Sequence, residues 1–124
     1  MTARSSWKRS EREVAKRIGG RRVSVSGRGR GDVPDIDHEL FSVEVKHWTA
    51  FPVKLLKAME QAVAAKRGDR VPLVVLHKAD THHDLDLCIM FLKDFGEMVD
   101  NYLTMGVCLS DYVNEDIQRQ KDGQ

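Results

Sequence analysis

The spacing of apolar residues along the chain predicts three helices. In the second of them, Leu56, Met59 and Val63 fall on one stripe of a helical surface. The first has a similar apolar stripe and is followed by a Gly-Gly pair, which favours a helix end. The helices are expected over residues 7–18, over residues 53–66 and from Phe95 onward.

Shorter runs that are rich in β-branched and aromatic residues predict strands between these helices. Strands are expected over residues 21–26, 40–48, 71–78 and 84–92, and an extended segment is expected before a turn near residues 37–39. The apolar run Pro-Leu-Val-Val-Leu within residues 71–78 is typical of a strand that is covered on both faces. The order α-β-β-β-α-β-β-α predicts an α/β fold, with one mixed β-sheet flanked by helices.

The chain has 124 residues and is expected to form one domain. We expect residues 1–106 to fold, and the polar tail over residues 107–124 to be partly disordered. No apolar run approaches the roughly 20 residues that a membrane span needs, and no signal-peptide core follows Met1. Two unpaired cysteines outside any CxxC motif indicate a reducing compartment rather than a disulfide framework.

The strand over residues 40–48 alternates polar and apolar residues. Ser42, Glu44 and Lys46 are therefore expected on one face, and Phe41, Val43 and Val45 on the core face. Asp35 meets the same face if its segment pairs with this strand. Two carboxylates beside a lysine suit a hard divalent cation and the charge of phosphoryl transfer. The alternative is an edge strand with a solvent-facing Glu–Lys pair.

Two glutamates in the first helix differ in their predicted environment. Glu11 falls in the apolar stripe, whereas Glu13 lies about 200° away, among basic residues. An ionised carboxylate on an inward face is costly unless it is paired or bound to a metal. Glu11 is therefore the functional candidate, unless it lies at the edge of the stripe and extends into solvent.

The near-neutral total charge conceals a basic N-terminal segment. Residues 1–30 carry ten Lys/Arg and two Glu, a net charge of +8. Residues 31–124 carry ten Lys/Arg and seventeen Asp/Glu, a net charge of −7. Such a cluster favours a polyanionic partner, although a solvated helix face with a flexible arm would give the same pattern. The candidate DNA-binding residues are Arg4, Lys8, Arg9, Arg12, Arg28, Arg30, Lys54, Lys57 and Gln61.

The histidines near residues 77–84 do not predict a zinc site. His82 and His83 are adjacent in a turn, and they lack the helical i,i+4 or CxxC spacing of common zinc ligands.

Four segments together resemble the PD-(D/E)xK nuclease superfamily, and most closely the archaeal-type Holliday junction resolvases. They are Ser10-Glu11-Arg12-Glu13, Pro34-Asp35-Ile36, Glu44-Val45-Lys46 and the later Val71-Pro72-Leu73-Val74-Val75.

The resemblance implies a restriction-endonuclease-like fold and a catalytic set of Glu11, Asp35, Glu44 and Lys46. Asp35, Glu44 and the Val45 backbone carbonyl would bind Mg²⁺, for which Mn²⁺ substitutes. Glu11 would act on a second ion or through a water. The family also carries a serine on the loop before the aspartate, for which Ser24 and Ser26 are candidates.

The implied function is a homodimeric endonuclease that nicks four-way DNA junctions symmetrically, in the cytoplasm of a prokaryote or of a phage-infected cell. The superfamily motifs leave open a repair or phage nickase or a single-strand nuclease. A non-catalytic nucleic-acid-binding protein on the same fold is the alternative from another class.

Overall fold

In the computed structural model, which describes residues 3–24 and 33–105, three α-helices and five short strands follow one another in the order α-β-β-β-α-β-β-α. The elements are α1 (Ala3–Ile18), β1 (Arg21–Arg22), β2 (Ile36–Asp37), β3 (Ser42–Val43), α2 (Val53–Ala65), β4 (Val74–Leu76), a 3₁₀ helix (His83–Leu85), β5 (Leu87–Ile89) and α3 (92–105).

The N-terminal helix α1 begins earlier than its apolar stripe and ends where predicted. Gly19 has φ of +74°, the left-handed conformation that glycine adopts at low cost, and the Gly20 N–H donates to the Ala15 carbonyl at 2.9 Å. The chain therefore reverses directly into β1, against which α1 packs.

The first sheet has β2 at its centre, with β1 and β3 antiparallel on either side. The predicted strand over residues 40–48 is shorter than expected, because only Ser42 and Val43 pair in the ladder. The predicted alternation nevertheless holds over residues 42–46, where Val43 and Val45 are half-buried and their three polar neighbours are exposed.

The core lies between α1 and this sheet. Ala15, Ile18 and Ile36 are buried together, and Phe95 of α3 packs against them. His38, at the turn after β2, donates from Nε2 to the Ile18 carbonyl at 2.7 Å. The first helix and the first sheet are thus joined by both apolar contact and a hydrogen bond.

The second sheet departs from the prediction. Strands β4 and β5 form a separate antiparallel pair, so the described strands make two small sheets rather than one mixed sheet. Leu73, Val75, Leu76 and Leu87 are exposed, so the expected coverage of residues 71–78 on both faces is wrong for the described chain. The apolar run indicated a strand correctly, but its composition does not specify what covers it.

The long middle helix α2 matches its predicted bounds but not its predicted orientation. Met59 is buried, whereas Leu56 and Val63 are exposed, and the half-buried positions are Leu55, Ala58 and Ala62. The inward face is therefore rotated towards the alanines. Similarly, the strand predicted over residues 84–92 is divided into the 3₁₀ helix, β5 and the start of α3.

Gly96 provides a test of the packing between α1 and α3. A Cβ added at Gly96 would lie 2.6 Å from the Arg17 carbonyl oxygen. Alanine is the better helix former by about 1 kcal/mol, but overpacking costs about 1–3 kcal/mol. We expect Gly96→Ala to lower the melting temperature, measured by circular dichroism. Glu97→Ala, at the exposed neighbouring position, is the control, and a higher melting temperature for Gly96→Ala would refute the close packing.

Candidate functional site

Asp35 lies at an irregularity in the first sheet. Its N–H donates to the Val43 carbonyl at 2.9 Å, although Val43 is already the register partner of Ile36. Two residues thus face one, which is the arrangement of a β-bulge. Consistent with this, Asp35 and Ile36 are both buried, whereas a regular strand would place them on opposite faces. The bulge turns the aspartate side chain inward.

The Asp35 carboxylate binds the segment that follows β3. Its Oδ2 accepts a hydrogen bond of 2.8 Å from the Val45 N–H. That N–H belongs to the peptide group joining Glu44 to Val45, so the carboxylate lies against the predicted Glu-x-Lys segment. The expected pairing of the two segments is therefore present. Glu44 and Lys46 are exposed on either side of the half-buried Val45.

Glu11 of α1 is buried, with 1% of its surface exposed. Its Oε2 accepts a hydrogen bond of 2.7 Å from Nε of Arg22 in β1. The alternative that Glu11 extends into solvent is therefore wrong.

Glu13, in contrast, is exposed and pairs with Arg17 one turn later. The guanidinium of Arg17, through its hydrogen bond and then its charge, lowers the pKa of Glu13. The two glutamates of the helix motif thus differ in the way that the helical periodicity predicted.

A second contact fixes α1 relative to the Glu-x-Lys segment. Ser10 Oγ lies 2.7 Å from Nδ1 of His47, within hydrogen-bond distance. Ser10 precedes Glu11 and His47 follows Lys46, so the contact joins the two predicted motifs. Three of the four segments of the resemblance, those that contain Glu11, Asp35 and Glu44, are therefore joined by hydrogen bonds at one end of the first sheet.

The carboxylates of Glu11, Asp35 and Glu44 do not form one tight cluster. Among the described residues, the only three His, Cys, Asp or Glu side chains whose ligand atoms all lie within 4.8 Å of one another are elsewhere, at the end of the second sheet. Ligands of two ions about 4 Å apart can be roughly 8 Å from each other, given bonds of about 2.1 Å. A set in which Glu11 acts through a water or a second ion would not need all three carboxylates to lie that close together.

The donor set suits magnesium. Asp35, Glu44 and the Val45 carbonyl offer oxygen atoms alone, and Mg²⁺ is typically held by one or two carboxylates with water and substrate phosphate completing its shell.

Arg22 is a site residue that the sequence analysis missed. Besides its bond to Glu11, its Nη2 is buried and has no hydrogen-bond partner in the described part of the chain. Helical periodicity identified Glu11, but nothing in the Arg-Arg pair of β1 indicates which guanidinium faces inward. Strand alternation relative to the buried Ile36, its register partner, would have provided that signal.

The predicted DNA-binding residues that the structure describes lie on the surface or near it. Arg9, Arg12, Lys54, Lys57 and Gln61 are exposed, and Lys8 is half-buried. The Arg4 side chain and all of Arg28, Arg30 and Ser26 lie outside the described residues, as do residues 107–124. Ser24 is exposed two residues after the end of β1 and has a partner of its own. Its predicted role as the loop serine stays a prediction.

Comparison of the chain with models of protein families, with curated proteins and with solved structures finds no match. Over residues 3–24 and 33–105, every helix is too short or too polar to span a bilayer.

The buried ion pair of Glu11 and Arg22 makes a stability prediction. Arg22→Met removes one partner and leaves the glutamate buried, which typically costs about 3 kcal/mol. We expect urea unfolding to show a loss of that size. Arg21→Met, at the exposed neighbouring position, is the control and should change the free energy of unfolding by less than about 0.5 kcal/mol. Equal losses in the two variants would contradict the assignment of Arg22 as the inward arginine.

Proposed function

We propose that this chain is a Mg²⁺-dependent DNA endonuclease that cuts phosphodiester bonds in branched DNA, in the first place four-way junctions. One observation carries the proposal. Among the described residues, the charged side chains that are buried are Glu11 and Asp35, at 1% and 9% exposure. Both were identified from the sequence as members of a nuclease site. A buried carboxylate costs free energy, which is why it suggests a function besides packing.

The proposed mechanism assigns a separate task to each side chain. Asp35, Glu44 and the Val45 carbonyl would hold Mg²⁺, which when bound would lower the pKa of a water and neutralise phosphate charge. Glu11 positions a water or a second ion, and its pairing with Arg22 fixes its orientation. Lys46, on the exposed face with Glu44, orients the attacking water or stabilises the charge that develops on the phosphate.

Substrate binding in this proposal depends on backbone phosphates. The exposed Arg9 and Arg12 of α1 and Lys54 and Lys57 of α2 supply the cations. Phosphate contacts give affinity without base specificity and weaken steeply as salt increases. The enzyme would therefore select the shape of a junction rather than a base sequence.

A homodimer is part of the proposal, because two symmetric cuts require two sites. The exposed apolar side chains of the second sheet support it: Leu76 and Leu87 are register partners on one face, and Val75 lies on the other. Exposed apolar surface of this kind commonly marks an interface between proteins.

Asp35→Asn tests the catalytic assignment. The amide oxygen of asparagine can still accept from the Val45 N–H, so the fold should persist, but the negative charge is lost. We expect junction cleavage in Mg²⁺ to fall at least about a hundredfold, with junction binding in Ca²⁺ nearly unchanged. Asp37→Asn, on the exposed face of the same strand, is the control and should cut normally. Undiminished cutting by Asp35→Asn would refute the proposal.

The substrate class is tested by comparing a four-way junction, a flap, a linear duplex and a single strand at equal concentrations. Paired, symmetric nicks on the junction alone are the expected result. Preferential cutting of the flap or the single strand would identify a repair or phage nuclease instead. If all four DNAs bind but neither Mg²⁺ nor Mn²⁺ supports cutting, the chain is a non-catalytic binding protein.

A further inference from the structure

The end of the second sheet brings together two histidines and an aspartate that the proposed nuclease site does not use. Asp86 Oδ1 lies 2.6 Å from Nδ1 of His77, and Asp86 Oδ2 lies 3.0 Å from Nδ1 of His83. The imidazole rings of His77 and His83 are stacked, with centroids 4.0 Å apart. One ligand atom from each of the three residues lies within 4.8 Å of the other two.

The backbone sets this arrangement. Leu76 of β4 pairs with Leu87 of β5, so continuing the register by one step places His77 opposite Asp86. The 3₁₀ helix then places His83 three residues before Asp86, whose N–H donates to the His83 carbonyl at 3.0 Å. The three side chains are therefore held by a ladder and a turn, and their proximity does not depend on side-chain rotamers alone.

We infer that His77, His83 and Asp86 form a binding site for a first-row divalent metal ion of the Zn²⁺ class. Two imidazole nitrogens and one carboxylate are a common zinc ligand set, with water at the fourth position. Imidazole ligands suit Zn²⁺, Co²⁺, Ni²⁺ and Cu²⁺, whereas Mg²⁺ prefers oxygen. The site is thus chemically distinct from the Asp35–Glu44 site, and the inference does not depend on the proposed function.

The dimensions fit this ion with a small adjustment. Ligand atoms around a tetrahedral zinc are about 3.3 Å apart, given bonds of about 2.0 Å. The two nitrogen–oxygen distances of 2.6 and 3.0 Å run to different oxygens of Asp86. Binding through one oxygen therefore needs the carboxylate to rotate, and the contacts to widen by about half an ångström on average. In the absence of metal the Nδ1–H of each imidazole donates to Asp86. A metal bound at Nδ1 would leave the N–H of each ring at Nε2, where a partly exposed imidazole can donate to water.

The exposure of the cluster suits a site that binds metal directly from solution. The His83 side chain is 78% exposed, and that of His77 is 36% exposed, whereas that of Asp86 is 13% exposed. The aspartate is therefore the fixed member, and His83 can adjust without disturbing the core. A metal bound here would cross-link residues of the ten-residue connection between β4 and β5, and would so stabilise the hairpin.

The test is calorimetric titration of Zn²⁺ into the untagged full-length chain, repeated with Co²⁺ to record the visible absorption of tetrahedral cobalt. We expect one equivalent to bind wild type, with the tetrahedral cobalt spectrum. His83→Ala and Asp86→Asn should each weaken binding at least about tenfold. The Asp86→Asn change preserves size, and His83 is exposed, so both variants should fold.

The chain offers a close control in His82, which is adjacent to His83 and similarly exposed, and whose Nδ1 lies 3.4 Å from Asp84 instead. His82→Ala and Asp35→Asn should each bind Zn²⁺ as wild type does. If His82→Ala loses as much affinity as His83→Ala, binding is a general property of surface histidines, and the site is refuted. It is also refuted if wild type binds no more tightly than His83→Ala. Retained binding by Asp35→Asn separates this outcome from any failure of the nuclease proposal.

Discussion

The hydrogen bond from the Val45 N–H to the Asp35 carboxylate is the interaction on which the candidate nuclease site depends. At this point the ladder of β2 and β3 ends, and the carboxylate oxygen occupies the position of a backbone acceptor. The bulge at Asp35 makes this possible, because it interrupts the regular alternation of side chains along the strand and directs the aspartate towards the neighbouring segment. The same bond places the carboxylate beside Glu44. A single local irregularity therefore brings the Asp35 carboxylate against the Glu44–Val45 peptide group, where the candidate ion site lies.

The burial of Glu11 has two explanations that act together. Its ion pair with Arg22 ties α1 to β1, and such a pair, once desolvated, is expensive to break but contributes little net stability. A leucine at this position would fill the stripe of the helix without that cost. In the proposed mechanism the task of the pair is to fix the orientation of Glu11 rather than to add stability.

Local patterns predicted local features well and long-range pairing poorly. Helical periodicity located α1 and α2 and separated Glu11 from Glu13, because both depend on contacts within a few residues. The alternation over residues 42–46 also holds, although only two of those residues pair, because alternation reports burial rather than hydrogen bonding. The prediction of a single mixed sheet was wrong for the described strands, because tertiary contacts determine which strand pairs with β4. Arg22 was missed, and a metal site at the histidines near residues 77–84 was rejected, for a related reason: the positions of Arg22 and of the His77–His83–Asp86 cluster become visible only when the strand register is known.

The central claim is that Asp35, Glu44 and the Val45 carbonyl bind one hard divalent cation. Its most direct test is a crystal structure of the protein grown with Mn²⁺, with anomalous diffraction to locate the ion. The account predicts an anomalous peak within bonding distance, about 2.2 Å, of oxygens from these three residues. A map with no peak at that point, or with a peak only at the His77–His83–Asp86 cluster, would contradict the account.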